Sequence, residues 1–425
     1  MTTRFRAYGP KQLTRIADHY PLDAELRETI RLFSLVLPFR VNSYVLDELI
    51  DWKRVPDDPT FRLVFPQPGM LDAEDERTLA ALSDSPKQLA EAIARIRKRL
   101  NPHPAGQQDL NVPELGGVPV AGVQHKYRET ALYFPGNGQT CHAYCTYCFR
   151  WAQFVGDNDL RFTASNPTQL IDYLTANPQI SDVLLTGGDP MVMSEERLRG
   201  HLEPLLHVES VRTIRIGTKS IAYWPNRYLD DPDADETLRL FERVVATGRT
   251  LAVMAHFSHA GELTAEPAQR ALARIRSTGA VIYCQAPIIA HVNDKAQALL
   301  ELWRAELAAG AVPYYAFVAR DTGPRDYFKV PLARAATLFT EAYRQLPGLA
   351  RTVRGPVMST TPGKVVVEGT EDTPEGRYFR LRFLQARDPN LVGRPFRANW
   401  SQEAAWLDDL TLAPSTPPDI AAVVE

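Results

Sequence analysis

Cysteine is scarce: the 425-residue chain has four. A disulfide framework is thereby set aside, because such frameworks belong to small, cysteine-dense secreted domains. No apolar run reaches membrane-spanning length, and the opening Met-Thr-Thr-Arg-Phe-Arg lacks the apolar segment of a secretory signal. Neither sign of charge dominates; 48 Lys and Arg against 51 Asp and Glu leave a formal net charge of −3. That balance gives no electrostatic footprint for nucleic acid or an anionic membrane. The expectation is a soluble cytoplasmic protein with no nucleic-acid or membrane partner. What is plentiful is apolar: hydrophobic residues make up 44% of the chain, enough for a substantial core. The length suits two or three domains, or one barrel with appendages.

Three of the four cysteines stand together, as Cys141-His-Ala-Tyr-Cys145-Thr-Tyr-Cys148. A C-x3-C-x2-C spacing lets one tight loop present three thiolates to a single cluster. A four-iron cluster ordinarily takes four cysteines, so three leave one iron open for chemistry. A structural zinc site needs four closed ligands, and His142, next to Cys141, is off the usual spacing. An iron–sulfur site on Cys141, Cys145 and Cys148 is therefore expected.

Around this loop the chain changes character. Residues 1 to 110 read as a mostly helical region, with apolar residues at helical spacing from Leu22 to Leu37 and again over residues 71 to 100. Arg95, Arg97, Lys98 and Arg99 read as a solvated basic face. Residues 101 to 124 are rich in Pro and Gly and read as a linker. Then six strand-length apolar runs alternate with helical patterns: Ala131–Phe134, Asp182–Thr186, Thr213–Gly217, Leu251–Ala255, Val281–Gln285 and Tyr314–Val318. Ser165-Asn166-Pro167 has the chemistry of a helix start, while Gly248, Gly279 and Gly310 mark helix ends. Such repeats predict an α/β fold with a parallel sheet, and place the cysteine loop at the carboxyl end of the first strand. Repeats alone leave an open doubly wound sheet and a partial barrel as alternatives. Residues 351 to 425 lack the alternation; Val365–Glu368 and Tyr378–Phe383 read as strands and the end from Ala413 as a loose tail.

The cysteine spacing, with Tyr147 before the last cysteine, resembles the radical S-adenosylmethionine (SAM) superfamily. Further short motifs follow in order. They are His125-Lys-Tyr127, Cys148-Phe-Arg150, Asp182-Val-Leu-Leu-Thr-Gly-Gly-Asp189, Arg215-Ile-Gly-Thr-Lys219, His256-Phe-Ser-His259, Gln285 with Val292-Asn-Asp294, and Pro362-Gly-Lys364. Together they resemble the lysine 2,3-aminomutase-like subfamily over roughly residues 110 to 370. The resemblance implies a (β/α)6 partial TIM-type barrel over residues 111–350, with the N-terminal helical region at 1–110 and a small C-terminal extension at 351–425 carrying the pyridoxal phosphate (PLP) lysine. It implies a 4Fe-4S cluster that cleaves SAM to a radical, PLP as carrier, and migration of an amino group between the α- and β-carbons of an amino acid. It also implies a one-electron reductant such as flavodoxin or ferredoxin, and a homo-oligomer.

Roles carried over by this resemblance fall on particular residues. Lys364 is the PLP lysine, and Lys126 and Arg128 lie where basic residues hold its phosphate. Gly187, Gly188 and Asp189 match the segment that receives the SAM amino group. Tyr147, Lys219, His256 and Gln285 fall among the cofactor contacts, and Arg150 matches the arginine that grips the substrate carboxylate. A surface turn for Lys364, an ordinary strand–helix turn for the glycines and a supporting ion pair for Arg150 are the plainer readings. His256 and His259 lack further ligands at metal spacing and read as active-site wall.

The pattern departs from lysine-specific members at two places. Their two aspartates read the distal ammonium; here Arg320 takes one place in the ungapped match, and Met358-Ser-Thr-Thr361 fills the region of the other. A guanidinium reverses the sign of the group a pocket welcomes. The expectation is a substrate with an acidic or neutral distal group, glutamate-like, although a one-residue shift would bring Asp321 into that place. No cysteine follows Cys284, so no intersubunit zinc is expected. The alternatives are a lysine 2,3-aminomutase, a PLP-independent radical SAM enzyme on the same scaffold, and a non-enzymatic iron–sulfur redox or sensor protein.

Overall fold

A computed structural model describes residues 4–101, 111–156 and 161–424. Its centre is one sheet of eleven strands whose spatial order is the order of the sequence. The strands are β1 (Val123–Tyr127), β2 (Thr130–Tyr133), β3 (Asp182–Leu185), β4 (Thr213–Thr218), β5 (Thr250–His256), β6 (Val281–Ile288), β7 (Val312–Val318), β8 (Arg354–Ser359), β9 (Gly363–Thr373), β10 (Gly376–Ala386) and β11 (Pro395–Asn399). From β2 to β8 all neighbours are parallel, while β1 and β9–β11 extend the sheet antiparallel at its two ends. The expected α/β class is met. The six expected strands are all present, and β8 is a seventh parallel one.

Alternation along the strands explains the layering. In β4, Ile214, Ile216 and Thr218 are buried, while Arg215 and Gly217 line a central cavity. In β6, Ile282, Cys284 and Ile288 are buried, while Gln285 lines that cavity. One face of the sheet packs on helices; the other is partly polar and faces a site. The helices supply matching apolar stripes, as in Ala234–Ala246, which buries Leu238, Phe241 and Val244. Each such side chain contributes roughly 1.5–3 kcal/mol by leaving water. Gly248, Gly279 and Gly310 all have positive φ (82°, 84° and 72°), the left-handed conformation that ends a helix.

Hydrogen bonding does not close the sheet: β1 and β11 are its two edges among the described residues. The sheet nevertheless curls. Lys126 of β1 donates to the Thr360 carbonyl just beyond β8, and its neighbour Tyr127 places its ring 4.1 Å from Lys364 Nζ on β9.

Two sequence expectations change. Arg97 is not on a solvated face; it donates to the Leu35 and Val36 carbonyls at 2.8 and 3.0 Å, closing the end of the Ala24–Phe33 helix. The C-terminus is not a loose tail: Pro418–Val424 is helical, Ile420 is fully buried, and Ala413 N donates to Arg397 O at 3.0 Å.

Candidate functional site

Cys141, Cys145 and Cys148 open onto a cavity of about 1320 Å³. The loop carrying them is fixed mainly by the N-terminal region. Tyr144 N donates to Arg40 O at 2.8 Å, and Thr146 bonds Leu63 O through its amide (2.9 Å) and Arg62 O through its hydroxyl (2.7 Å). The buried Asn42 amide donates to His142 O at 3.2 Å and Tyr223 O at 2.8 Å. Burial raises all three thiol pKa values; for Cys148, burial and then the neighbouring Cys145 push it up to about 12. Thiolates at this place need a cationic partner. Among the described residues no three His, Cys, Asp or Glu side chains gather as ligands of one ion. A cluster asks for something different, because its cysteines attach to separate irons. The fourth cysteine, Cys284, is buried on the helix side of β6, beside Glu306, and takes no part.

Gly187 and Gly188 follow β3 and pack on the cysteine loop. Gly187 has φ +132°, and a Cβ on Gly188 would stand 2.5 Å from Thr140 O and 2.6 Å from Thr140 N. The missing side chains therefore let the β3 turn approach the residue before Cys141. Gly188→Ala is expected to push this loop, costing about 1–3 kcal/mol. Lower iron retention and a lower Tm are the readouts; an unchanged Tm counts against this packing role. Asp189 is saturated by the protein itself, accepting from Thr218 Oγ1 (2.7 Å), Met191 N and Lys219 N (both 2.9 Å). Burial raises its pKa and these bonds oppose the rise.

Lys219 also lines the cavity, but it is not waiting for a partner. Its Nζ lies 2.7 Å from Glu262, a fully buried carboxylate that also accepts from Ser258 N at 2.5 Å. Tyr147 OH bonds Ser258 Oγ at 2.8 Å and His256 Nε2 at 3.2 Å, with the His256 pKa held low by burial, then by Lys219. Gln285 lines the same wall; His259 does not, and its Nδ1 accepts from Gly261 N at 3.1 Å.

Lys364, on β9, lines the same cavity and is bonded to Gln385 Oε1 at 2.5 Å. Burial first, then Lys126, Arg215 and Arg354, hold its pKa well below the usual lysine value. Burial, Arg320 and Arg387 lower that of Lys126 to about 7. So many cations around two part-buried amines are costly without an anion. Arg128 belongs elsewhere: it is exposed in the turn after β1 and does not line the cavity. The strand ends at Tyr127, so the next side chain leaves the inner face.

Arg150 is buried, stacked 4.4 Å from the Phe134 ring, and donates to amide oxygens of Gln153 (2.6 Å) and Gln139 (3.4 Å). Its Nε, fully buried, has no hydrogen-bond partner. Burial lowers its pKa to about 10, opposed by the cysteines. A buried guanidinium held by neutral amides has donor capacity left that a carboxylate could use. Arg320 lines the cavity between the rings of Trp406 (5.1 Å) and Phe149 (5.9 Å), and donates to Ser359 O at 3.1 Å. Asp321 lies 3.7 Å away, and Asp408 also acts on it. Glu262, Tyr223, Trp406 and Asp408 escape sequence reasoning, since they reach the site by long-range packing.

A three-cysteine loop at the carboxyl end of a parallel sheet thus shares one cavity with Lys364. Relatives give the class. A protein of Aquifex aeolicus provisionally named an L-lysine 2,3-aminomutase is 32% identical over 379 residues, 88% of this chain and 87% of that protein. The L-lysine 2,3-aminomutase of Acetoanaerobium sticklandii is 28% identical over 54% of this chain and 52% of that one. The Escherichia coli L-lysine 2,3-aminomutase is 27% identical over 56% and 67%. The chain belongs to the lysine 2,3-aminomutase-like family of radical SAM proteins. No family model matches. Among solved structures, SAM-bound SuiB of Streptococcus suis covers 63% of this chain and 56% of its own at 11% identity and a TM-score of 0.36, too low to carry an argument. No helix among the described residues is long and apolar enough to cross a membrane.

Proposed function

We propose that the protein is a PLP-dependent radical SAM 2,3-aminomutase, moving an amino group between the α- and β-carbons of an amino acid. One observation carries this reading: Cys141, Cys145, Cys148 and Lys364 all line a single cavity. Bound there, a 4Fe-4S cluster with SAM supplies hydrogen-atom abstraction, and PLP supplies a carrier for the amino group.

The chain's own residues then have distinct tasks. The three cysteines hold the cluster, and Gly187, Gly188, Gln285 and His256 form the wall on which SAM rests. Glu262 keeps Lys219 fixed there, and Tyr147 ties the cysteine loop to Ser258. Lys364 captures PLP and Lys126 neutralises its phosphate. Arg150 orients the substrate through its carboxylate, and Arg320 meets the distal end. On this reading the curled stretch from β2 to β7 is the partial barrel, the N-terminal region clamps the cysteine loop through Arg40, Asn42, Arg62 and Leu63, and the C-terminal extension from 351 carries β8 and Lys364. The partners are a free amino acid and a one-electron reductant, in a cytoplasmic homo-oligomer.

Arg320 supports a neutral or acidic distal group. Asp321 and Asp408 beside it favour neutral over acidic, and also support a second reading, lysine itself. The test is anaerobic reconstitution with iron, sulfide, SAM and PLP, then product analysis on L-glutamine, L-glutamate and L-lysine. β-Amino products from glutamine or glutamate are expected. Preferential lysine turnover would sink the Arg320 argument; SAM cleavage without any PLP dependence points to the PLP-independent alternative. Absence of SAM cleavage leaves the redox-protein reading.

A further inference from the structure

The C-terminal segment belongs to the site. Trp406, Leu407, Asp408, Leu410 and Thr411 line the same cavity as the cluster cysteines. They are locked in place: Ala405 N and Trp406 N donate to Asp409 Oδ2 at 2.9 and 3.0 Å, and Asp409 pairs with Arg325 at 2.7 Å. Leu332 N donates to Ala404 O at 2.8 Å, and Asn399 N to Thr411 O at 2.8 Å. Two of these ties, Arg325 and Leu332, lie on helices Arg325–Phe328 and Leu332–Arg344 after the loop that carries Arg320. Trp406, 4% exposed, places its ring 5.1 Å from the Arg320 guanidinium, with the Phe149 ring 5.9 Å from it.

We propose that Ala404–Leu412 is the specificity wall of the amino-acid pocket, with Trp406 positioning the Arg320 guanidinium in the cavity that Asp408 also lines. A guanidinium beside a carboxylate offers a donor face and an acceptor together. A carboxamide complements both, its oxygen accepting from arginine and its N–H donating to aspartate. A carboxylate or an ammonium matches only one of the two. The inference deepens the aminomutase reading and rests on it: the substrate's side chain ends in a carboxamide or a group with the same donor–acceptor pair.

The test uses reconstituted full-length protein with L-glutamine, L-glutamate and L-lysine. Wild type is expected to favour glutamine in kcat/KM by about tenfold. Trp406→Ala is expected to raise KM about tenfold with kcat within about threefold, while Trp406→Phe stays within about threefold of wild type in both. Asp408→Asn is expected to move the glutamate-to-glutamine ratio up about tenfold. Unchanged KM in Trp406→Ala, or parallel loss of kcat and iron, overturns the positioning role. A wild-type preference for glutamate or lysine overturns the carboxamide. Turnover of none of the three removes the substrate class, and hydrogen exchange over residues 318–324 then decides the wall. Faster exchange in Trp406→Ala than in wild type and Trp406→Phe upholds it; equal exchange overturns it.

Discussion

Cys145→Ala is expected to leave anaerobically reconstituted protein with less than about one-tenth of wild-type iron and with no reductive SAM cleavage. The reason lies in the environment of the loop. All three thiols are pushed up by burial, and Cys148 further by Cys145, so none is a thiolate on its own account. Only a bound cation makes three ionised sulfurs tolerable there, and the loop's conformation is spent on presenting them together. Two sulfurs leave two irons open and remove one of the three thiolate ligands. Cys141→Ala and Cys148→Ala should behave alike. Cys284→Ala is the control: its sulfur is buried against the helices beside Glu306, so iron should remain at the wild-type level. Iron retained in full by any of the three loop variants would remove the cluster from these residues.

The same loop shows what a sequence can and cannot disclose. Its cysteines are seven residues apart at most, so their meeting is local and legible. The strands from β2 to β7 are legible as short apolar runs, and glycine-ended helices mark the approach to β5, β6 and β7. β8 hides because Gly355 and Pro356 lie inside it, two residues that ordinarily argue against a strand. β1 hides in a segment rich in Pro and Gly, and with it the reason why Lys126 faces the cavity and Arg128 does not. Lys219 stands at a motif position in the sequence, but its partner Glu262 lies 43 residues on. Nothing local marks Glu262 as buried. Trp406 and Asp408 depend on ties from Arg325 and Leu332 to residues near the end of the chain. Long-range pairing of this kind leaves no periodic trace.

Lys364→Ala is expected to abolish the PLP absorbance of the reconstituted protein and reduce β-amino product by at least about a thousandfold, with iron content retained. Electrostatics makes Lys364 the fitting nucleophile. Its amine is buried, and Lys126, Arg215 and Arg354 all oppose its protonation. Asp182 favours the ammonium, and that carboxylate is already bridged to Arg215 at 2.6 Å. A lysine whose pKa is depressed gives up its proton more readily, and capture of an aldehyde requires the free amine. Acid restores the ammonium, so capture should weaken as pH falls. Lys126→Ala separates the two amines. It removes a like charge and a phosphate partner, so PLP should bind more weakly while its absorbance is still reached at higher PLP concentration. Equal absorbance in Lys364→Ala and wild type would place PLP elsewhere or nowhere, and would leave the cysteines serving a PLP-independent reaction.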